Sequence, residues 1–578
     1  MILQALYDYR VRKGDSLAPD GFEWRNIPFL IELSPAGKIT GIPTSEVEHL
    51  VPQVPKRANT IDPALLWDNA EYVLGIPDQK KMASRDPGKY RSRVKAMHDA
   101  FQTRIANLPE AARSDAGVRA VLAFYENDPL SQLQRFDQAA TIHDKNPNLA
   151  FRLQGDADLV CQRVASVTCS TQIDPGAISG LCLITGEHTE IQRLHPAIKR
   201  IRDKPGSPSQ KNVVSVNDRE SPAFASYAKS QGYNSPVGKQ TAVRYTTALN
   251  YLLRKGSPQK LQVGDATTVF WADHDSSLEN DFAAFFDEPR KDDDDPDRGT
   301  RAVAALLESA RQGVGPVLDN TTRFFVLGLA PNAARIAIRF WQVGTVADMA
   351  KRIVRHFDDI KIAEPDTAPF LSLRLLLRST AMPSEKWPGG DPEKVPPNLG
   401  GELIRAILEG SPYPETLFHG AIRRIRAERE ITYPRAAILK ACFNRKRNRN
   451  EEEITVSLDF NNTNPGYRLG RLFAVLERVQ EEANPRINAT IRDRYYGAFS
   501  AVPSSVFSTL MRLKNHHLAK LGNAGRRINL EKLIGEIVDG LPPSLPSHLS
   551  LADQGRFAIG YYHQRMNPAT YGKQGDPK

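Results

Sequence analysis

The stretch from Asn464 to Met566 decides how this chain is read. It contains NPGYRLGRLFAVLERVQ (464–480), IRDRYYGAFSAVPSSVF (491–507), LMRLKNHHLAKL (510–521) and LADQGRFAIGYYHQRM (551–566). Asn464 suits an N-cap, and Pro465 suits the first helical position, where its missing N–H costs nothing. Leu469, Leu472, Phe473, Leu476 and Val479 then recur on one helical face. From Pro503 a further helix is predicted, with Val506, Leu510, Leu513, His517 and Leu521 along one side. Leu530, Leu533, Ile534, Ile537 and Val538, closed by Gly540, predict another. Amphipathic segments in close succession predict a helical bundle over 454–578.

Two of these segments also carry cationic rows. Arg471 and Arg478 are seven residues apart and nearly in line, with Arg468 on an adjoining row. Arg512, His516 and Lys520 recur every four residues. A row at helical spacing can meet successive phosphates, although a solvated face has the same pattern.

Toward the N-terminus, residues 300–453 read as a mixed and then helical region. RAVAALLESARQG and VADMAKRIVRHFDDI are helices, RFFVLGLAPN is a strand, and AARIAIRFWQ is strand or helix. The connection MPSEKWPGGDPEKVPP (382–397) is punctuated by proline and glycine, and NRKRNRNEEE (444–453) is a charged loop. DEPRKDDDDPDRG (287–299) is an acidic loop or linker, since like charges in a run repel. Over 149–286, FRLQG, LVCQRVASV, GLCLITGEH, VVSVND and TTVFWAD read as β-like runs around a helical QTAVRYTTALNYLLRKG. Residues 1–148 open with a short helix, continue through strand-like runs at 27–33 and 39–42, and include helices at 90–108 and 117–126. The fold class is α+β, with mixed N-terminal and middle regions ahead of the bundle.

Lys plus Arg number 77 against 67 for Asp plus Glu, a net charge of +10, which favours a polyanionic partner such as nucleic acid. The N-terminus lacks the pattern of a secretory signal, and no run of 18 apolar residues occurs, so a cytoplasmic protein without a membrane span is expected. Phosphate-loop, zinc-protease and serine-hydrolase motifs are missing. Cys169, Cys182, His188 and His195 fit no common zinc module by spacing, and neither a metal nor another cofactor is expected. Asp273-His274-Asp275 ends an apparent strand, and Asp273 with Asp275 could hold Mg²⁺ in a nuclease; the plainer reading is a polar turn.

Two further stretches fit nucleic acid. DQKKMASRDPGKYRSR (78–93) reads as a basic loop in which Gln79, Lys80, Lys81, Arg85, Lys89, Arg91 and Arg93 can hold duplex phosphates. SQGYNSPVGK (230–239) offers Gln231, Asn234 and Ser235 on a constrained loop, where amides can read base edges.

Long strings across the chain resemble the large subunit of the type I-C CRISPR surveillance complex, Cascade. They include MILQAL, YVLGI, CLITGEH, RLHPAIK, SVNDRESPAFASYAKSQGYNSPVGKQTAVRYTTALNYLL, VGDATTVFWAD, FFVLGLAPNAARIAIRFW, GYRLGRLFAVLERVQ, HHLAKL and QGRFAIGYYHQR. The resemblance implies a non-catalytic subunit that recognises the protospacer-adjacent motif (PAM) in duplex DNA, helps open the strands into an R-loop and helps recruit a helicase-nuclease. The implied partners are crRNA-containing backbone and processing subunits, double-stranded and displaced single-stranded target DNA, and a separately made small subunit that the C-terminal bundle resembles. Pairing with the guide then reads the long target while protein reads a short motif. A metal-dependent nuclease and a purely structural ribonucleoprotein scaffold are the alternatives.

Overall fold

The computed structural model describes residues 1–54, 60–169, 178–201, 211–287, 297–332, 335–365, 368–446 and 452–567, without the side chains of 165–169. Helix takes 51% of the described residues and strand 14%, with the strands gathered into separate small sheets, so the class is α+β. The chain forms two compact units: Met1–Arg200 with Ser207–Arg254 and Ala333–Arg335, and Ile201–Gly206 with Lys255–Asn332 and Ile336–Lys578. Segment 1–148 thus lies within the first unit, 149–286 is shared between the two, and 454–578 lies within the second. Most of the acidic run and part of NRKRNRNEEE fall outside the described residues. No described helix is long and apolar enough to cross a membrane.

In the first unit β1 (Phe22–Asn26) pairs with β4 (Glu48–Pro52). A second sheet has the order β3 (Ile39–Gly41), β2 (Phe29–Leu33), β6 (Asn148–Leu153), β5 (Trp67–Asn69). β2 and β6 run parallel, Phe29 opposite Leu149, which requires a long crossover, and the intervening chain supplies it largely as helix. Helix Ala116–Glu126 packs on these strands, with the rings of Phe124 and Phe151 5.5 Å apart. A two-stranded hairpin, β7 (Ser179–Leu181) and β8 (His188–Glu190), and helix Lys239–Leu252 follow.

Three sequence expectations are corrected here. LVCQRVASV is part of a helix, Val160–Cys169, despite its β-branched residues. Leu159, Val160, Cys161 and Val164 enter the core, and the Arg163 guanidinium reaches Asp115 at 2.7 Å, so packing outweighs strand propensity. VVSVND forms no strand. The stretch 78–93 is not a loop but helix Gln79–Ser84 and the start of helix Pro87–Ala106.

The second unit begins with a four-stranded sheet in the order β12 (Arg335–Thr345), β11 (Arg323–Asn332), β10 (Ala266–Ala272), β9 (Lys260–Val263). Its core is continuous with that of the following helices, from Phe270 and Phe324 through Ile353 and Leu403 to Phe473 and Phe557. The C-terminal bundle is built from Pro465–Ala483, Ile491–Phe499, Pro503–Ala519, Ala524–Asp539 and Leu551–Arg565. Asn464 accepts from the Tyr467 N–H with Pro465 behind it, as the sequence predicts.

Helix Pro465–Ala483 is the bundle's axis. It is buried without a break from Leu469 to Glu477, not on one face only. A Cβ at Gly470 would land on the Phe557 carbonyl, and one at Gly560 on that of Tyr467. Glycine at both places lets this helix and Leu551–Arg565 touch backbone to backbone.

Candidate nucleic-acid interface

In the first unit the cationic stretch is set by two aspartate caps. Asp78 accepts from the Lys80 and Lys81 N–H groups at 2.9 and 3.2 Å, and Asp86 accepts from the Lys89 N–H at 3.0 Å. Pro87 opens the longer helix, whose inner side carries Tyr90, Val94, Met97, Phe101 and Ile105. That burial turns Lys89, Arg91 and Arg93 outward, and Lys80 and Arg85 are exposed beside them. The predicted residues do not all join this face. Lys81 Nζ donates to both Glu71 oxygens at 3.1 and 2.9 Å, and Glu71, 2% exposed, also accepts from the Tyr90 hydroxyl. Burial, then that carboxylate, pushes the Tyr90 phenol well above its ordinary range. Lys81 is therefore a counter-ion to a buried acid. Gln79 contacts His143 at 3.4 Å, and the Arg85 guanidinium lies 5.9 Å from the centre of the Tyr90 ring. Lys80, Lys89 and Arg91 have no charge partner among the described residues.

The Gln231–Asn234 turn is rigid, and its amides already have work within it. Asn234 Nδ2 donates to the Lys229 and Gln231 carbonyls at 2.6 and 3.1 Å. Gln231 Oε1 accepts from Arg193 at 2.5 Å, with its backbone at φ 46°. Ser235 closes the turn through its N–H to the Gly232 carbonyl at 2.9 Å and is half-buried. The turn borders a cleft of about 450 Å³ lined by Arg193, His195, Asn217, Arg219 and Gln231. A larger cleft of the same unit, about 1170 Å³, was not foreseen from sequence, since it is lined from distant segments. Its cations are largely paired: Arg25 and Lys199 with Glu23, Arg200 with Glu48, and Lys239 with Glu190.

In the bundle the two predicted rows part company. Arg471 is 4% exposed, donates to Gln564 Oε1 at 3.0 Å and lies over the Phe460 ring. Arg468 donates to the Asn462 carbonyl at 2.6 Å and to that of Gly540. Arg478 donates to Glu482 at 2.5 Å. Of the Arg468–Arg471–Arg478 row, Arg471 is thus turned into the bundle, while Arg468 and Arg478 are part-exposed and already bonded, Arg478 to Glu482 of its own helix. Arg512, His516 and Lys520 are exposed on Pro503–Ala519, while His517 between them is buried against Asn484.

The other chemical candidates are held by local contacts. Asp273 accepts from the Arg323 N–H at 2.8 Å and from its Nε at 2.9 Å, joining the ends of β10 and β11. Burial raises the Asp273 pKa, but Arg323 and His274 outweigh it and hold the carboxyl below its usual range. Asp275 is exposed beyond it. Cys182 Sγ accepts from the Gly238 N–H at 3.3 Å, His195 pairs with the Tyr245 hydroxyl at 2.6 Å, and His188 is exposed. The Cys169 side chain lies outside the described residues.

No curated protein matches the chain. A family model described as CRISPR-associated protein (Cas_Csd1) matches residues 3–568, nearly the whole length. The chain therefore belongs to this CRISPR-associated family.

Proposed function

We propose that the chain is the non-catalytic large subunit of a crRNA-guided type I-C Cascade. It reads the PAM in duplex DNA, promotes strand opening and R-loop formation, and offers a surface to the helicase-nuclease. Membership of the family makes a CRISPR role the frame. The observation that carries the duplex contact is the set of exposed cations Lys80, Lys89 and Arg91 at the starts of two neighbouring capped helices. Such a face holds backbone phosphates and sets register, and carries no sequence information by itself. Discrimination then falls to the turn and cleft around Gln231, Asn234 and Arg193. The bundle, with Arg512, His516 and Lys520 outward, serves a strand or a neighbouring subunit.

The test is binding of the assembled complex to duplexes with randomised flanking bases. Lys89→Glu with Arg91→Glu should weaken all flanks alike and flatten the salt dependence by about one unit of slope for each phosphate no longer held. Unchanged affinity and slope would remove this face from the site. Cleavage of DNA by the purified chain with Mg²⁺, abolished by Asp273→Ala, would replace the proposal with the nuclease reading.

A further inference from the structure

The connection 382–397 carries a part-exposed tryptophan that neither the sequence motifs nor the proposed duplex contact accounts for. Trp387 stands in a loop tied down by its backbone. The Ser384 and Trp387 N–H groups donate to each other's carbonyls at 3.2 and 3.0 Å, and the Gly390 N–H donates to the Trp387 carbonyl at 3.0 Å. Asp391 N–H closes the loop on the Met382 carbonyl at 3.0 Å, and Arg378 Nε donates to the Gly390 carbonyl at 3.1 Å. Gly390 has φ 112°, and a Cβ there would strike the Arg378 carbonyl, so only glycine completes the loop without strain. The main chain that carries the ring is thus held by its own hydrogen bonds.

Three cations lie within about 6 Å of the centre of that ring. Arg378 is 4.8 Å from its centre, Lys386 5.8 Å and Arg374 6.0 Å. Lys386 and Arg374 are exposed. The Asp391 carboxylate accepts from the Glu393 N–H at 3.0 Å, and its pKa is lowered chiefly by that bond. Glu385 and Glu393 are exposed on the same segment.

An indole fixed among guanidinium and ammonium groups matches the two halves of a nucleotide. A base stacks on the ring, and the adjoining phosphate meets the cations beside it. Arginine suits this especially, since its planar group can stack and bond a phosphate at once. A duplex exposes a base face only where a step is unstacked at a cost in free energy, so a ring of this kind favours a single strand. We infer that Trp387, with Arg374, Arg378 and Lys386, is a stacking site for one nucleotide of a single-stranded nucleic acid. The inference rests on the proposed nucleic-acid role and gives it a strand contact apart from the duplex face and the bundle.

The test titrates the full chain with oligodeoxythymidylate and, separately, with oligouridylate, following strand anisotropy and intrinsic tryptophan fluorescence. Binding should quench part of the tryptophan signal. Trp387→Ala should remove that part and weaken binding about tenfold, as for loss of one base stack. Trp387→Phe should also remove the quench yet keep more of the affinity, and it decides the matter if the alanine variant melts early. A loss with the DNA strand assigns the site to DNA, and a loss confined to RNA assigns it to the guide. Full affinity and full quench in both variants, or no binding of either strand by the native chain, would overturn the site. Duplex binding by the assembled complex reads other residues, so its persistence beside indifferent Trp387 variants would sink this inference alone.

Discussion

Helices Pro465–Ala483 and Pro503–Ala519 each carry cationic residues at helical spacing, the second row continuing to Lys520 at its C-cap, and lie in contact, yet their cations do opposite things. On the first, Arg471 is buried against Gln564 and Phe460, and Arg468 and Arg478 are spent on neighbouring groups. On the second, Arg512, His516 and Lys520 stay exposed. The first helix also buries a carboxylate, Glu477, 1% exposed, which accepts from Thr490 Oγ1 at 2.6 Å and from the Tyr561 hydroxyl. Spacing determines which residues share a row, but neighbours determine whether the row faces water. A helix enclosed on all sides turns its charges into internal fasteners, while a helix on the rim leaves them in contact with solvent.

The sharpest way to break this comparison is to separate the packed backbone from an open one. Gly470→Ala should lower bundle stability by more than about 3 kcal/mol, since the new methyl meets the Phe557 backbone rather than a yielding side chain. Gly497→Ala, with nothing within 4 Å of the added Cβ, should be neutral or stabilising by up to about 1 kcal/mol. Equal urea-midpoint losses in the two variants would contradict the enclosed reading of the axis helix.

Next, Arg471→Ala should cost about 3 kcal/mol in chemical denaturation, because buried acceptors lose their donor. Arg512→Ala should stay within about 0.5 kcal/mol.

A smaller effect is set by pH. His563, against the Tyr467 hydroxyl at 2.9 Å, is pushed down to about 3 by burial, with Lys440 adding to it. Its folded pKa lies below the unfolded value, so the unfolded chain binds the extra proton. Stability is therefore fully present above about pH 6.5 and declines below it by about 1.4 kcal/mol per pH unit, down to about pH 3. His563→Gln should reduce the pH slope of urea midpoints measured between pH 7 and pH 5.5, leaving the part that the similarly lowered His356 contributes. A slope that does not change would show that His563 is not the group responsible.

The smallest change in stability should come from Arg512→Glu with Lys520→Glu, which leaves the melting curve in place. Single-strand affinity should fall several-fold at low salt, and the difference should shrink as salt rises. No change at low salt would make this row a solvated face.

The bundle is legible because apolar residues at helical period need a shared core, and Asn464-Pro465 marks a helix start whatever lies nearby. The Asp78 and Asp86 caps are equally local, yet 78–93 reads as a loop because its charges obscure two short helical starts. Sequence names the exposed cations of 78–93, but Lys81 is tied to Glu71, a residue just ahead of YVLGI whose acid has no local signature. The large cleft joins β1, β4 and helix Lys239–Leu252, which no sequence window contains together.

The sequence by itself determined the α+β class, the helical C-terminal region, the net positive charge and most of the helix register. All of these follow from backbone propensity, hydrophobic period and composition, which act over a few turns of chain. Only the tertiary structure decided which cations are available. Burial of a charge depends on what packs over it from distant segments, and a cation withdrawn from water must find a partner inside. That is why Arg471 became part of the core while Arg512 remained on the surface.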